Sequence, residues 1–146
     1  MLWYFASGGT GLATSKDGVH WEKPILGVRE HKGSKQNNLV SESLSFAFYD
    51  PKDADPGRRY KGFVAKNLLN RGGFAPAFSA DGVNWRVLDV VVPSQDEANI
   101  FHDQERGLYV FAVKHPGPYG RSVYLTLSRD FEHWTDPRDC LIFHAD

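Results

Sequence analysis

Serine, aspartate and tryptophan recur at fixed spacing in this chain of 146 residues. The three copies are Ser15-Lys16-Asp17-Gly18-Val19-His20-Trp21, Ser79-Ala80-Asp81-Gly82-Val83-Asn84-Trp85 and Ser128-Arg129-Asp130-Phe131-Glu132-His133-Trp134. A hydroxyl, a carboxylate and an indole held together could act as nucleophile, base and stacking surface. The repetition argues otherwise. Three of the four tryptophans sit in these copies, and an internal repeat at fixed offsets is a mark of architecture. A less conspicuous set of groups is the adjacent acid pair in Gln95-Asp96-Glu97-Ala98-Asn99, with a lone acid in Ser41-Glu42-Ser43.

The repeated heptapeptide specifies a turn. Asp-Gly between apolar-alternating runs predicts a two-residue hairpin, because glycine adopts positive φ without strain. The Ser and Asp side chains can accept hydrogen bonds from the turn's own amides. The Trp is expected on the outgoing strand, packing a large apolar surface on a neighbour. The third copy has Phe131 where the others have glycine, which predicts a longer or kinked tip.

Composition narrows the class. With 41% hydrophobic and 14% aromatic residues the chain is not disordered, and its aromatics suit strands. A net charge of −1 with both signs scattered is no footprint for nucleic acid or an acidic membrane. No apolar run approaches the ~20 residues that a membrane-spanning helix needs. The single Cys140 has no internal disulfide partner, and no Cys/His spacing suits zinc, so no metal or cofactor is implied. The first residues, Met1 to Ala6, have neither a basic leader nor a small-residue cleavage site and read as a strand already under way. The compartment stays undetermined, with secretion or the periplasm compatible with a full-length form. The chain reads as a segment of a longer one.

Hydrophobic alternation and Gly/Pro punctuation predict an all-β chain without long helices. Strands are expected at Leu2–Ala6 and Leu12–Ser15 across the turn Ser7–Gly11, then at His20–Lys23. After a polar connection from Gly27 to Asn38 they are expected at Leu44–Tyr49, Arg59–Ala65, Phe74–Phe78 and Trp85–Val92. A further cycle runs through Asn99–Phe101, Leu108–Val113 and Ser122–Leu127, with another strand starting at Leu141. Each cycle is four short antiparallel strands, with the heptapeptide joining the third to the fourth. Repeated units of this size predict the blades of a β-propeller. About two and a half blades are expected: outer strands of one in residues 1–26, a second in 38–92 and a third in 94–146. A β-sandwich would use the same hairpins but would not predict the repeat.

Three stretches together resemble a known superfamily: Thr14 to Pro24, Gly33-Ser34-Lys35-Gln36-Asn37-Asn38, and Asp55-Pro56-Gly57-Arg58-Arg59-Tyr60-Lys61-Gly62. They look like the five-bladed propellers of glycoside hydrolase families 32 and 43, especially proteins with a family 32 N-terminal-like domain. The resemblance implies hydrolysis of a glycosidic bond by carboxylates at the propeller axis, where inner strands begin. It points to Asp96, Glu97 and Glu42 as catalytic candidates, one ionised and one protonated. Strand alternation would let only one of Asp96 and Glu97 point fully inward. Asn99, Arg71, His115, Arg121 and His31 are the substrate-binding candidates, with a carbohydrate as partner. The Asn-Asp-Pro-Asn, Arg-Asp-Pro and Glu-Cys signatures of the family 32 enzymes are absent.

Every candidate has a plainer reading. The acid pair could be a solvated loop, Glu42 a strand-edge charge and Asn99 a turn cap. Arg71, His115 and Arg121 stand on expected loops between second and third strands, and His31 in the long connection. The repeated tryptophans read as packing between blades and the repeated aspartates as turn formers. Two other functional classes stay open: a non-catalytic carbohydrate-binding or structural propeller, and a sialidase-like protein, which would need a cluster of arginines.

Overall fold

The computed structural model describes residues 1–67, 72–118 and 120–144. Among these residues the strands, in chain order, are β1 (Leu2–Ala6), β2 (Gly9–Ala13), β3 (Leu39–Ser41), β4 (Leu44–Tyr49), β5 (Tyr60–Lys66), β6 (Gly73–Ser79), β7 (Arg86–Val87), β8 (Val92–Pro93), β9 (Ala98–Asp103), β10 (Leu108–Gly117), β11 (Gly120–Ser128) and β12 (Leu141–His144). The protein is all-β, with only two short 3-10 turns, Pro56–Arg58 and Pro137–Asp139, among its described residues. Among the described residues no helix is long and apolar enough to cross a membrane.

The strands make three open antiparallel sheets. β1-β2-β3 is the first, β4-β5-β6-β7 the second with β8 also paired to β6, and β9-β10-β11-β12 the third. In both longer sheets successive strands lie side by side, except that β8 pairs with β6 and not with β7. Contacts divide the chain into two compact units, Met1–Val64 with Ala77–Val87, and Ala65–Pro76 with Leu88–Asp146.

The third sheet has the cleanest alternation. Tyr109, Phe111 and Val113 of β10 are buried, as are Ser122, Tyr124, Thr126 and Ser128 of β11, and the residues between them are more exposed. In the second unit Phe74 meets Phe111 edge-on at 5.7 Å. The core of the first unit gathers Leu12, Val40, Leu44, Val64 and Ala77, with Trp3 and Trp85 against it.

Several strand expectations need correcting. The expected strand Trp85–Val92 is two pairs of residues, β7 and β8, with Leu88–Val91 between them. Pro76 supplies the reason. Its carbonyl accepts from Leu88 N–H at 2.8 Å, so its missing N–H faces the same side, and the ladder there lacks a donor. His20–Lys23 forms no strand and contributes only the bridge Thr14–Glu22. The expected alternation of Leu44, Phe46 and Phe48 fails, because a register shift lies between Ser45 and Phe48 and Phe46 has φ of 55°. β3 has no counterpart among the expected strands: its three residues close the polar connection and pair with β2. β10 and β11 run on to Gly117 opposite Gly120, so His115 and Arg121 are strand residues, not loop residues.

Candidate functional site

The three heptapeptides build one structure three times. In each, the serine Oγ donates to the aspartate Oδ1 at 2.9–3.1 Å and accepts from the backbone N–H three positions on at 2.8 Å. Oδ1 also accepts from the two following amides at 2.8–2.9 Å. The indole N–H closes the loop on the carbonyl of Gly18, Gly82 or Phe131 at 3.1–3.2 Å. The turn is thus longer than a two-residue hairpin, and the Trp lies at its end.

The longer or kinked tip expected of the third copy does not occur. Phe131 adopts φ of 65°, close to the 77° and 76° of Gly18 and Gly82, and keeps the same hydrogen bonds. Its ring is fully buried, edge-on to Tyr109 at 5.1 Å and Trp134 at 5.4 Å. Ring burial offsets a backbone conformation that ordinarily favours glycine.

These turns are not a hydrolytic triad, although Ser128, Asp130 and His133 stand in a chain. His133 Nδ1 lies 2.7 Å from Asp130 Oδ2, but the serine hydroxyl donates to the aspartate, so the imidazole does not face the hydroxyl as a triad requires. The aspartates are held ionised. Partial burial pushes Asp81 up, but the Asn84 and Val83 bonds outweigh it and bring it down to about 2. Asp17 and Asp130 are displaced downward too, Asp17 mainly by His20. Asp130 in turn pushes His133 up.

The acid pair is organised by a residue the sequence did not single out. Asp96 and Glu97 lie in a bend before β9, where strand alternation does not apply, and both turn to the ammonium of Lys114. Lys114 is 6% exposed against 67% and 72% for the two acids. The chain itself covers it: Gln95 N–H donates to Lys114 O at 2.9 Å, and Lys114 N–H donates to Ser94 Oγ at 3.2 Å. Asp96 Oδ1 contacts Nζ, and Glu97 Oε2 lies 3.4 Å from it. The hydrogen bond from Lys114 holds the Asp96 carboxyl below the usual carboxylate range. Arg121 reaches Glu97 at 3.9 Å, and Glu97, Asn99, Lys114 and Arg121 line a groove of about 340 Å³.

The other candidates have partners of their own. Asn99 also accepts from the N–H of Ile100 at 2.9 Å, a local bond. His115 donates from Nε2 to Pro93 O at 2.8 Å and borders a different cleft. Glu42 belongs to the first unit, where it pairs with Arg29 at 2.7 Å and is 79% exposed. His31, in the same unit, forms a backbone bridge to Ser34 and packs its ring on Gly8, where a Cβ would meet Nδ1 at 2.4 Å. Arg71 lies outside the described residues.

The different cleft, about 790 Å³, lies wholly in the second unit between Val90–Gln95, His115–Pro116 and Trp134–Arg138. On its rim Arg138 grips Asp136 through Nε at 3.0 and 3.1 Å and through a second nitrogen at 2.5 Å, which brings the Asp136 carboxyl down to about 2. No family model, curated protein or solved structure matches the chain. Among the described residues no group of three or more His, Cys, Asp or Glu side chains is placed to hold a metal ion.

Two buried cations escaped the sequence reading. Lys114 stands directly after the alternating run Tyr109–Val113, which makes it read as an outward residue; the signal available was an acid pair with no cation in its own segment. Lys61 is fully buried beside Asp50 at 3.1 Å and Asp53 at 2.7 Å, and here the signal was the acid-rich turn just before its strand.

Proposed function

We propose that this chain is part of a carbohydrate-active β-propeller of the glycoside hydrolase 32 and 43 kind, its four-stranded meanders being the blades. Asp96 is the ionised carboxylate of the site, and Glu97 is its neighbouring acid. One observation carries the reading: two neighbouring carboxylates converge on the buried ammonium of Lys114 at the start of a sheet's first strand, beside a groove holding Asn99 and Arg121. An ionised carboxylate fixed in place can act as base or stabilise an oxocarbenium-like transition state, and flanking donors can hold sugar hydroxyls.

A second reading, binding without hydrolysis, is favoured by the same ammonium. Hydrolysis needs one protonated carboxyl, and the hydrogen bond from Lys114 holds Asp96 below the usual carboxylate range. A panel of 4-nitrophenyl glycosides, assayed with the chain in its natural context and with Asp96→Asn and Glu97→Gln, separates the two. The catalytic reading expects turnover that falls by about 10²–10⁴ in at least one variant. Unchanged turnover in both removes the pair from the mechanism, and glycan binding without turnover supports the second reading.

A further inference from the structure

The larger cleft of the second unit is independent of the acid groove, and its lining has a chemistry of its own. Trp134 borders it, half-buried. The indole's single N–H is already donated to Phe131 O, and the ring is seated on Phe111 at 5.9 Å and Phe131 at 5.4 Å. What it presents to the cleft is therefore carbon surface held in a fixed orientation. On the same rim, Asp136 and Arg138 form a two-pronged ion pair, 39% and 80% exposed. The capacity left is that of Arg138: a guanidinium has five donors, of which Asp136 takes two, whereas the carboxylate's about four acceptor sites already receive the Arg138 backbone N–H, Nε on both oxygens and the second nitrogen. Val90, Val91 and Pro116 supply further apolar surface, Val90 and Val91 being 43% and 46% exposed.

We infer that this cleft is a sugar-binding site, with Trp134 stacking on one face of a pyranose or furanose ring and Arg138, held in place by Asp136, donating to adjacent hydroxyls. The chemistry fits a neutral oligosaccharide in particular. A sugar ring has an apolar C–H face that suits an aromatic plane and an equatorial rim of groups that both donate and accept. The remaining N–H groups of the oriented guanidinium supply donors side by side, which match the oxygens of two neighbouring hydroxyls. A free anion would gain little, since Asp136 already neutralises Arg138. The volume, about 790 Å³, lies in the ~300–1,000 Å³ range of small-ligand sites and leaves room for more than one ring. The inference rests on the carbohydrate reading above but not on the acid pair, which lines a separate groove.

The test is amide chemical-shift mapping on the labelled 146-residue chain, titrated in turn with maltotriose, xylotriose and kestotriose. At least one trisaccharide is expected to give saturable shifts at Val91, Gln95, Thr135 and Arg138. Arg138→Met and Trp134→Leu are each expected to weaken that binding about tenfold or more, as loss of one stacking or charge-assisted contact does. Asp96→Asn is expected to leave it unchanged. Trp134 also packs in the core, so Arg138→Met, at an exposed side chain, decides if the Trp134 variant loses its dispersed spectrum. Shifts confined to Asp96–Asn99, Lys114 and Arg121 would overturn this inference while supporting the function proposed for the acid groove. Absence of shifts with all three sugars would overturn it together with carbohydrate binding. Binding at the cleft with no turnover of any aryl glycoside would uphold it and leave the hydrolytic reading refuted.

Discussion

Phe131 poses a test of the repeat in which an ordinary sign is reversed. Its φ of 65° lies in the left-handed region, and its ring is fully buried against Tyr109 and Trp134. Truncation to alanine removes the ring and retains the strained backbone, so Phe131→Ala is expected to cost about 3–5 kcal/mol. Phe131→Gly removes the ring and the strain together. A left-handed conformation costs a non-glycine residue ~1–2 kcal/mol, so the glycine variant should be the more stable of the two by about 1 kcal/mol. At an ordinary strand or helix position glycine is instead worse than alanine by roughly 0.5–1 kcal/mol. Urea unfolding followed by tryptophan fluorescence reads the difference, since Trp134 stands against the mutated site. With a slope of ~1–3 kcal/mol per molar, the glycine variant should unfold about 0.3–1 M later than the alanine variant. An alanine midpoint equal to or above the glycine midpoint would refute the claim that all three turns share one backbone. The glycines of the other copies supply the control. Gly18, at φ of 77°, has nothing within 4 Å of an added Cβ, whereas at Gly82 that Cβ meets Trp3 Cζ2 at 2.9 Å. Gly18→Ala should therefore cost only strain, ~1 kcal/mol, and Gly82→Ala distinctly more.

Buried and paired charges give two further expected outcomes. Lys61→Met leaves Asp50 and Asp53 without the ammonium that bonds them inside the first unit, so it is expected to destabilise the chain by about 3–5 kcal/mol. A thermal midpoint unchanged from wild type would contradict the buried pair. His133 is expected to titrate above 6.5 by its imidazole proton shift, and Asp130→Asn to bring it back down. A raised folded-state value means that this contact stabilises fully below the unfolded value of about 6.5 and fades as pH climbs through the folded value. A His133 titration that ignores Asp130→Asn would remove the pair from any account of pH dependence.

The sequence carried the strand content well because its signal is local. Alternation in Leu108–Val113 and Ser122–Leu127, and the Asp-Gly turns, depend on residues next to one another, and β10 and β11 form accordingly. The misses came from residues whose partners are remote or missing. Pro76 breaks the fourth strand of its sheet by withholding a donor from a neighbour twelve positions on, Leu88. Phe131 violates the glycine rule because Tyr109, distant in sequence, buries its ring. Lys114 reads as an outward strand residue until Ser94 and Gln95 cross over it.

The candidate sites divide along the same line. Alternation cannot say that Asp96 and Glu97 face one cation, because they stand in a bend where neighbouring side chains need not point to opposite sides. Nor does the repeat say that its three tryptophans differ in setting. Trp85 packs into the first unit's core, Trp21 is 42% exposed, and Trp134 is half-buried beside a cleft. The difference comes from the residues C-terminal to each copy. After Trp134 the chain enters Thr135-Asp136-Pro137-Arg138, where Asp136 caps the 3-10 turn by accepting from Arg138 N–H at 2.9 Å and binds the Arg138 side chain as well. That cap fixes a charged fork on the same cleft as the indole; neither other copy leads into such a segment. On the sugar-site inference, a motif repeated for turning the chain acquires a ligand surface at one copy alone, where Arg138, held by Asp136, supplies the polar half of the site. Transplanting Thr135–Arg138 behind Trp85 should then create no second site, since Trp85 packs against the buried core of its unit.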